Sequence, residues 1–324
     1  MISVQNLTKD YGPHRAIHNL NFTAEKGEVL GFLGPNGAGK TTTLRILTGY
    51  MPPTSGTATI GGCDVVEDSL EVRKLVGYLP ETVPLYGDMR VYDYLRFMGN
   101  LRHLDNLEDR VVEVLEAVGL VERSQSLIKN LSKGMRQRVG LGQALVHQPE
   151  VLILDEPTIG LDPNQIVEVR NLIQNIGKEK TVLLSTHILS EAQQICDRVI
   201  IINKGMIVAE DAPENLQARL SSGSRVTVRV DSDAERAASL IRNVDGVLSA
   251  QVNERGLIQF ESHSDHDMRA QVAKTLVENG FVLLELTPEN VNLENIFIQL
   301  TKEEAPSPPS DAKPEEPKEE RAGK

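Results

Sequence analysis

The chain contains no tryptophan, and only two of its 324 residues are cysteine. Cys63 and Cys196 could close one bridge at most, and they stand too far apart for the paired spacing of a zinc site. Stability built on disulfides or on a cysteine-held metal is thereby excluded, and both thiols are expected reduced, as in a reducing compartment. Long apolar runs are missing as well. No stretch approaches the ~18–20 apolar residues that a membrane-crossing helix needs. Met1–Gly12 has neither a basic n-region nor an apolar h-region, so neither a direct membrane span nor a signal peptide is expected. Positive charge is scarce: 34 Lys and Arg face 46 Asp and Glu, for a net charge of −12. That balance argues against a nucleic-acid partner, which needs clustered cations to release counterions. It argues equally against a basic anchor on a membrane surface.

What is present is ordinary soluble composition, 40% hydrophobic and 25% charged, on a length that suggests one large domain plus something extra. Over residues 1–220, short β-like runs mix with helical patterns, the mark of an α/β domain. Glu28–Leu33 reads as a strand, and Thr41–Leu47 as a helix that Gly49 terminates. Val111, Val114, Leu115 and Val118 share one helical face. Val151–Leu154, Thr181–Ser185 and Val199–Ile202 suit parallel strands covered on both faces.

The small polar segment Ser221-Ser222-Gly223-Ser224 marks a boundary. Beyond it the pattern predicts strands at 225–230, 247–252, 257–261 and 281–286, helices at 234–242 and 268–278, and a turn at Glu254-Arg255-Gly256. This β-α-β-β-α-β order fits a small α+β, ferredoxin-like C-terminal module over 221–302. Leu293, Ile296, Phe297 and Leu300 add a further apolar helical stripe. Residues 303–324 hold no aromatic and no aliphatic side chain larger than alanine. They cannot bury enough apolar area to offset ordering entropy, and disorder is expected there.

Gly34-Pro35-Asn36-Gly37-Ala38-Gly39-Lys40-Thr41 matches G-x-x-x-x-G-K-[ST], follows an apolar strand and opens a helix. Its glycines let successive N–H groups turn inward at phosphate oxygens, and the helix start adds partial positive charge. Lys40 is expected to reach the β- and γ-phosphates of ATP, the Thr41 hydroxyl to bind Mg²⁺, and Thr42 to hydrogen-bond an α-phosphate. Asp155 ends an apolar strand at the mouth of an open α/β sheet and can hold Mg²⁺ through water. Glu156, one residue on, points differently and can polarise an attacking water, a division of labour suited to phosphoryl transfer.

Leu131-Ser132-Lys133-Gly134-Met135 precedes these acids, and with it the sequence resembles the ATP-binding subunits of ABC transporters over residues 1–220. The resemblance implies a P-loop NTPase ABC domain with a helical subdomain at about 82–147. It also implies a head-to-tail dimer, homo- or heteromeric, in which Ser132 and the Gly134 N–H face the γ-phosphate of the opposing subunit's ATP. Lys133 and Met135 depart from the Gly and Gln of the family's LSGGQ. In Val76-Gly77-Tyr78-Leu79-Pro80-Glu81, Glu81 takes the place of a family Gln and is a possible Mg²⁺ ligand. Gly160-Leu161-Asp162-Pro163 resembles the D-loop. In Ser185-Thr186-His187, His187 resembles the switch histidine that contacts the γ-phosphate and positions Glu156. Tyr11, in Leu7-Thr8-Lys9-Asp10-Tyr11-Gly12, resembles the aromatic that stacks on adenine.

The expected activity is ATP hydrolysis that closes and reopens the dimer and drives a separate integral-membrane permease. The expected site is the cytoplasmic face of the cell membrane, reached through that permease. Docking is expected near Glu81 and along Thr82–Tyr94, with Pro84, Tyr86 and Met89 as a strip. The strings YLPE-x-x-PLY, LSKGMRQRVGLGQAL and GLDPNQI are similar to ABC-2-type exporters, including the gliding-motility-associated group. The competing reading is a non-transport ABC ATPase in nucleic-acid or translation work. The interval from Thr41 to Ser132 is too short for a coiled coil, only one nucleotide domain is present, and the charge is acidic, all of which count against it. A non-hydrolysing regulator is disfavoured by the presence of Lys40, Asp155, Glu156 and His187.

Overall fold

The structure, a computed structural model, describes residues 1–220, 223–253, 256–263 and 268–288. The chain runs β1 (Ile2–Tyr11), β2 (His14–Ala24), β3 (Val29–Leu33), α1 (Lys40–Leu47), β4 (Ser55–Ile60), β5 (Cys63–Asp64), α2 (Ser69–Leu75) and β6 (Val76–Leu79). Three helices follow, α3 (Val91–Asn100), α4 (Leu107–Ala117) and α5 (Lys133–Leu145). Then come β7 (Val151–Asp155), α6 (Pro163–Gly177), β8 (Thr181–Thr186), α7 (Leu189–Ile195), β9 (Arg198–Asn203), β10 (Met206–Asp211) and α8 (Pro213–Leu220).

A six-stranded sheet in the order β10-β9-β3-β8-β7-β6 forms the centre, parallel except for β10. Every residue of β3, β7 and β8 is buried, which is why these strands read as unbroken apolar runs. Successive side chains point to opposite faces. Val151 and Ile153 pack with the antiparallel sheet β2-β1-β4-β5 and with α1, while Leu152 and Leu154 pack against the helices on the other side. The four-stranded sheet lies outside the elements read from sequence. Its long strand β1 shifts register at three places against β2, and each shift breaks the two-residue alternation that marks a strand.

Gly49 ends α1 as expected. Its N–H bonds to Ile46 O and that of Tyr50 to Arg45 O, the paired bonds of a Schellman close, with Gly49 at φ +66. His147 follows α5, and its ring Nε2 lies 3.0 Å from the Val76 carbonyl of β6. A carbonyl only accepts, so Nε2 carries the proton. Burial, with Arg102 nearby, pushes the ring's pKa down to about 4. The folded state then binds fewer protons than the unfolded one between pH 6.5 and about 4. Stability should therefore be full above that window and fall as pH drops through it, by about 1–2 kcal/mol from pH 7 to pH 5. Denaturant unfolding at both pH values checks this; His147→Gln should remove that part of the slope.

The C-terminal part is β11 (Gly223–Val230), α9 (Ala234–Arg242), β12 (Val247–Val252), β13 (Ile258–His263), α10 (Arg269–Glu278) and β14 (Leu283–Pro288). Its antiparallel order β12-β13-β11-β14 is the ferredoxin-like arrangement, built on its own core of Val226, Val228, Ile241, Phe260, Val272 and Leu276. The last strand starts at Leu283, not at Phe281. Phe281 instead caps α10: its N–H bonds to Leu276 O, and both side chains are buried, the hydrophobic contact of a helix end. The stripe Leu293, Ile296, Phe297 and Leu300, the turn at Glu254 and Arg255, and the tail 303–324 lie outside the described residues. Among the described residues no helix is long and apolar enough to cross a membrane.

Candidate active site

β3, β8 and β7 are adjacent, and their carboxyl ends bring the phosphate loop, His187 and the two acids together. The turn from β3 into α1 passes hard against β9. A Cβ on Gly34 would fall 2.4 Å from the Ile202 carbonyl, so glycine is required there. Lys40, the first residue of α1, is buried. Its Nζ donates to Gly34 O at 2.7 Å and Pro35 O at 3.3 Å, and lies 3.3 Å from Glu156 Oε1. The positive end of α1 thus carries a fixed cation as well as its own dipole.

The acids are held by one hydroxyl. Ser185 Oγ donates to Asp155 Oδ1 at 2.6 Å and accepts the Glu156 N–H at 3.0 Å. Thr41 Oγ1 donates to the same Asp155 oxygen at 3.2 Å. Glu156 has φ 49, a left-handed conformation that a non-glycine residue rarely adopts and that marks stored strain. His187 Nδ1 lies 2.8 Å from Glu156 Oε2. A carboxylate accepts, so Nδ1 bears the hydrogen of this bond. Glu156 Oε1 is buried and ion-paired with Lys40, yet accepts no hydrogen bond.

A cavity of about 470 Å³ opens over this network. Tyr11, Pro35, Asn36, Gly37, Gly39, Lys40, Thr41, Thr42, Glu81 and Glu156 line it. Tyr11 is half exposed at the edge, with its hydroxyl on Met51 Sδ at 3.1 Å and the Lys9 ammonium 5.6 Å from its ring centre. Ala38 is not part of the lining: its methyl is in the core and its N–H is taken by Pro35 O at 3.1 Å. Asp155 lies behind Thr41, almost fully buried.

Ser132, Gly134 and Asp162 also stand apart from this cavity, at helix starts. Ser132 Oγ caps α5 by accepting the Met135 N–H, and Asp162 caps α6 by accepting that of Gln165. The N–H of Gly134, expected open toward a phosphate, donates to Gln165 Oε1 at 3.1 Å. Sequence reasoning missed Gln165, and it missed Ser185 as the bridge between the acids. It also missed His14 and Ile159 in the lining, and the buried Glu191, which accepts from Thr158 and Thr186 and steadies the segment after Glu156. Only Ser185 carried a signal, as a hydroxyl at the end of an apolar strand.

The donor set suits Mg²⁺. Thr41, Asp155 and Glu81 offer hard oxygen, the first two already adjacent, and Mg²⁺ is commonly held by one or two carboxylates plus substrate phosphates. Among the described residues no group of three or more His, Cys, Asp or Glu gathers as a self-sufficient metal cage. The ion would supply positive charge that offsets the charge of the phosphates. The chain's own residues supply a buried cation at the start of α1, a buried carboxylate with one oxygen that accepts no hydrogen bond, and a histidine hydrogen-bonded to that carboxylate.

These features define a P-loop ATPase of the ABC class. The profile of the ABC transporter family matches residues 17–159. The chain is 36% identical over 302 residues to the bacitracin transport ATP-binding protein BcrA of Bacillus licheniformis, covering 93% of this chain and 97% of that protein. It is 34% identical to the linearmycin resistance ATP-binding protein LnrL of Bacillus subtilis, covering 93% and 98%. Among solved structures it resembles a dimeric structure of MJ0796, a bacterial ABC transporter cassette, at 25% identity and a TM-score of 0.60, over 66% of this chain and 99% of that one. The chain belongs to the ABC transporter family as an ATP-binding subunit. It hydrolyses ATP as a transporter subunit, and the non-transport alternative is set aside.

Proposed function

We propose that this ATPase is of the ABC-2 type and drives export through a separate permease at the cytoplasmic face of the membrane. The functions of two relatives, bacitracin transport and linearmycin resistance, support export. The likeness to the gliding-motility-associated group adds a subgroup and no activity. In this reading residues 1–220 are the motor, with 82–147 as its helical subdomain, and 221–302 an accessory module. Lys40, Thr41 and Thr42 hold the phosphates, Tyr11 stacks on adenine, and Thr41, Asp155 and Glu81 hold Mg²⁺. Glu156 takes the proton of the attacking water, and His187 keeps Glu156 oriented. Ser132, Gly134 and Asp162 serve a second copy, identical or different. Their separation from the cavity that holds Lys40 and Glu156 is the observation that carries this sandwich. ATP favours the closed pair, so binding and hydrolysis alternate two states.

A second groove, of about 560 Å³, supports a permease contact. One wall is Thr48, Arg73 and Tyr78, beside the nucleotide domain's sheet; the other is Met98, Leu101 and Gln143 on the helices. A helix seated there touches both halves at once. Tyr50 and Leu101 are widely exposed at this groove. On the strip expected from sequence, Pro84 and Tyr86 are exposed, whereas Met89 packs partly against the core. Affinity purification from membranes should recover a polytopic protein lacking its own nucleotide domain, and Leu101→Asp should lose it while retaining ATP binding. Recovery of nucleic acid or ribosomes instead would sink the transport reading; undiminished capture by Leu101→Asp would remove the groove from it.

A further inference from the structure

Asp162 and Gln165 stand at the cap and third position of α6, the spacing of a capping box. In such a box the longer side chain turns back to the cap's own N–H. Here only half of it forms. Asp162 accepts from the Gln165 N–H at 3.0 Å, but the Gln165 carbonyl oxygen reaches across to α5 and accepts the Gly134 N–H at 3.1 Å. The approach is close: a Cβ on Gly134 would fall 2.5 Å from Gln165 Oε1. Two further contacts join the same two segments. The Lys133 ammonium lies 2.2 Å from where a Cβ on Gly160 would stand, and Arg138 pairs with Glu168 at 3.5 Å.

We propose that Gln165 is a positioning residue that occupies the Gly134 N–H until a γ-phosphate from the opposing nucleotide displaces it. This rests on the sandwich reading above. A hydrogen bond to a phosphate oxygen is charge-assisted and roughly twice as strong as one to an amide carbonyl. ATP therefore takes the donor from Gln165. ADP, which lacks the γ-phosphate, leaves Gln165 in place. After hydrolysis and loss of phosphate, the side chain regains the N–H, and the competition favours opening. Because Gln165 also sits on the helix that Asp162 caps, the exchange reports the state of one copy's signature segment to its own D-loop.

The test uses the full-length chain carrying Glu156→Gln, so that closed dimers accumulate. Dimer formation is followed by light scattering against MgATP, with MgADP as control. Gln165→Ala removes the competitor and should lower the half-maximal ATP concentration by about 3- to 10-fold, the worth of one neutral hydrogen bond. Gln165→Glu keeps the reach but holds the N–H more tightly and repels the incoming phosphate, so the midpoint should rise by a similar factor or more. Fluorescent-ADP affinity for the chain's own phosphate loop should be unchanged in both. A merely structural role would move both midpoints the same way; that result, or no movement in either, overturns the inference. Absence of an ATP-dependent dimer in the Glu156→Gln parent itself would overturn the sandwich reading and this inference with it.

Discussion

Glu156→Gln should bind ATP at least as well as the parent, hydrolyse it ~10²–10⁴-fold more slowly, and accumulate as a closed dimer. The substitution keeps the shape and an acceptor for the His187 Nδ1–H, 2.8 Å away. It removes the negative charge that faces Lys40 at 3.3 Å, so the lysine loses a competitor for phosphate. It also removes the basic oxygen: Glu156 Oε1 is the buried acceptor left without a hydrogen bond, and a neutral amide cannot accept a water's proton. Single-turnover hydrolysis and equilibrium nucleotide binding, measured on the same preparation, separate the two effects. Hydrolysis at the parental rate would assign the base to another group.

Lys40→Ala is expected to weaken ATP binding by ~10²-fold or more, the range seen when one partner of a buried charge pair is truncated. It should also cost stability without nucleotide. Lys40 and Glu156 are both more than nine-tenths buried, and removing the cation strands a buried carboxylate, at about 3 kcal/mol. The double variant Lys40→Ala with Glu156→Gln separates these consequences. Its stability should recover most of the loss, since no buried charge is left unpaired, while ATP affinity stays low. Nucleotide titration and denaturant unfolding of all three variants check this. Unchanged affinity in Lys40→Ala would refute the cradle assignment.

The placement of the candidate site was legible in the sequence where its residues are contiguous. Gly34 to Thr42 forms one loop and one helix start, and its spacing carries backbone shape directly. Asp155 and Glu156 sit at the end of a strand whose burial is written in four apolar residues. The C-terminal elements were legible because their register shifts fall near strand ends, between Arg229 and Val230 and between Val247 and Ser249, and leave the rest of the alternation intact. The antiparallel sheet was not, since register shifts in β1 erase its period. Phe281 was read as strand, because a hydrophobic cap and a strand start look alike in one dimension.

The sequence by itself determined a glycine-rich turn between a strand and a helix that opens on a buried lysine, with two acids at the mouth of another strand. Those instructions are local, and local backbone geometry follows from them. Only the tertiary structure decided that Ser185 holds both acids, that Lys40 meets Glu156, and that Gln165 covers the Gly134 N–H. Each of these contacts joins segments far apart in the chain, so its existence depends on how the sheet and helices pack, and no local pattern of residues encodes it.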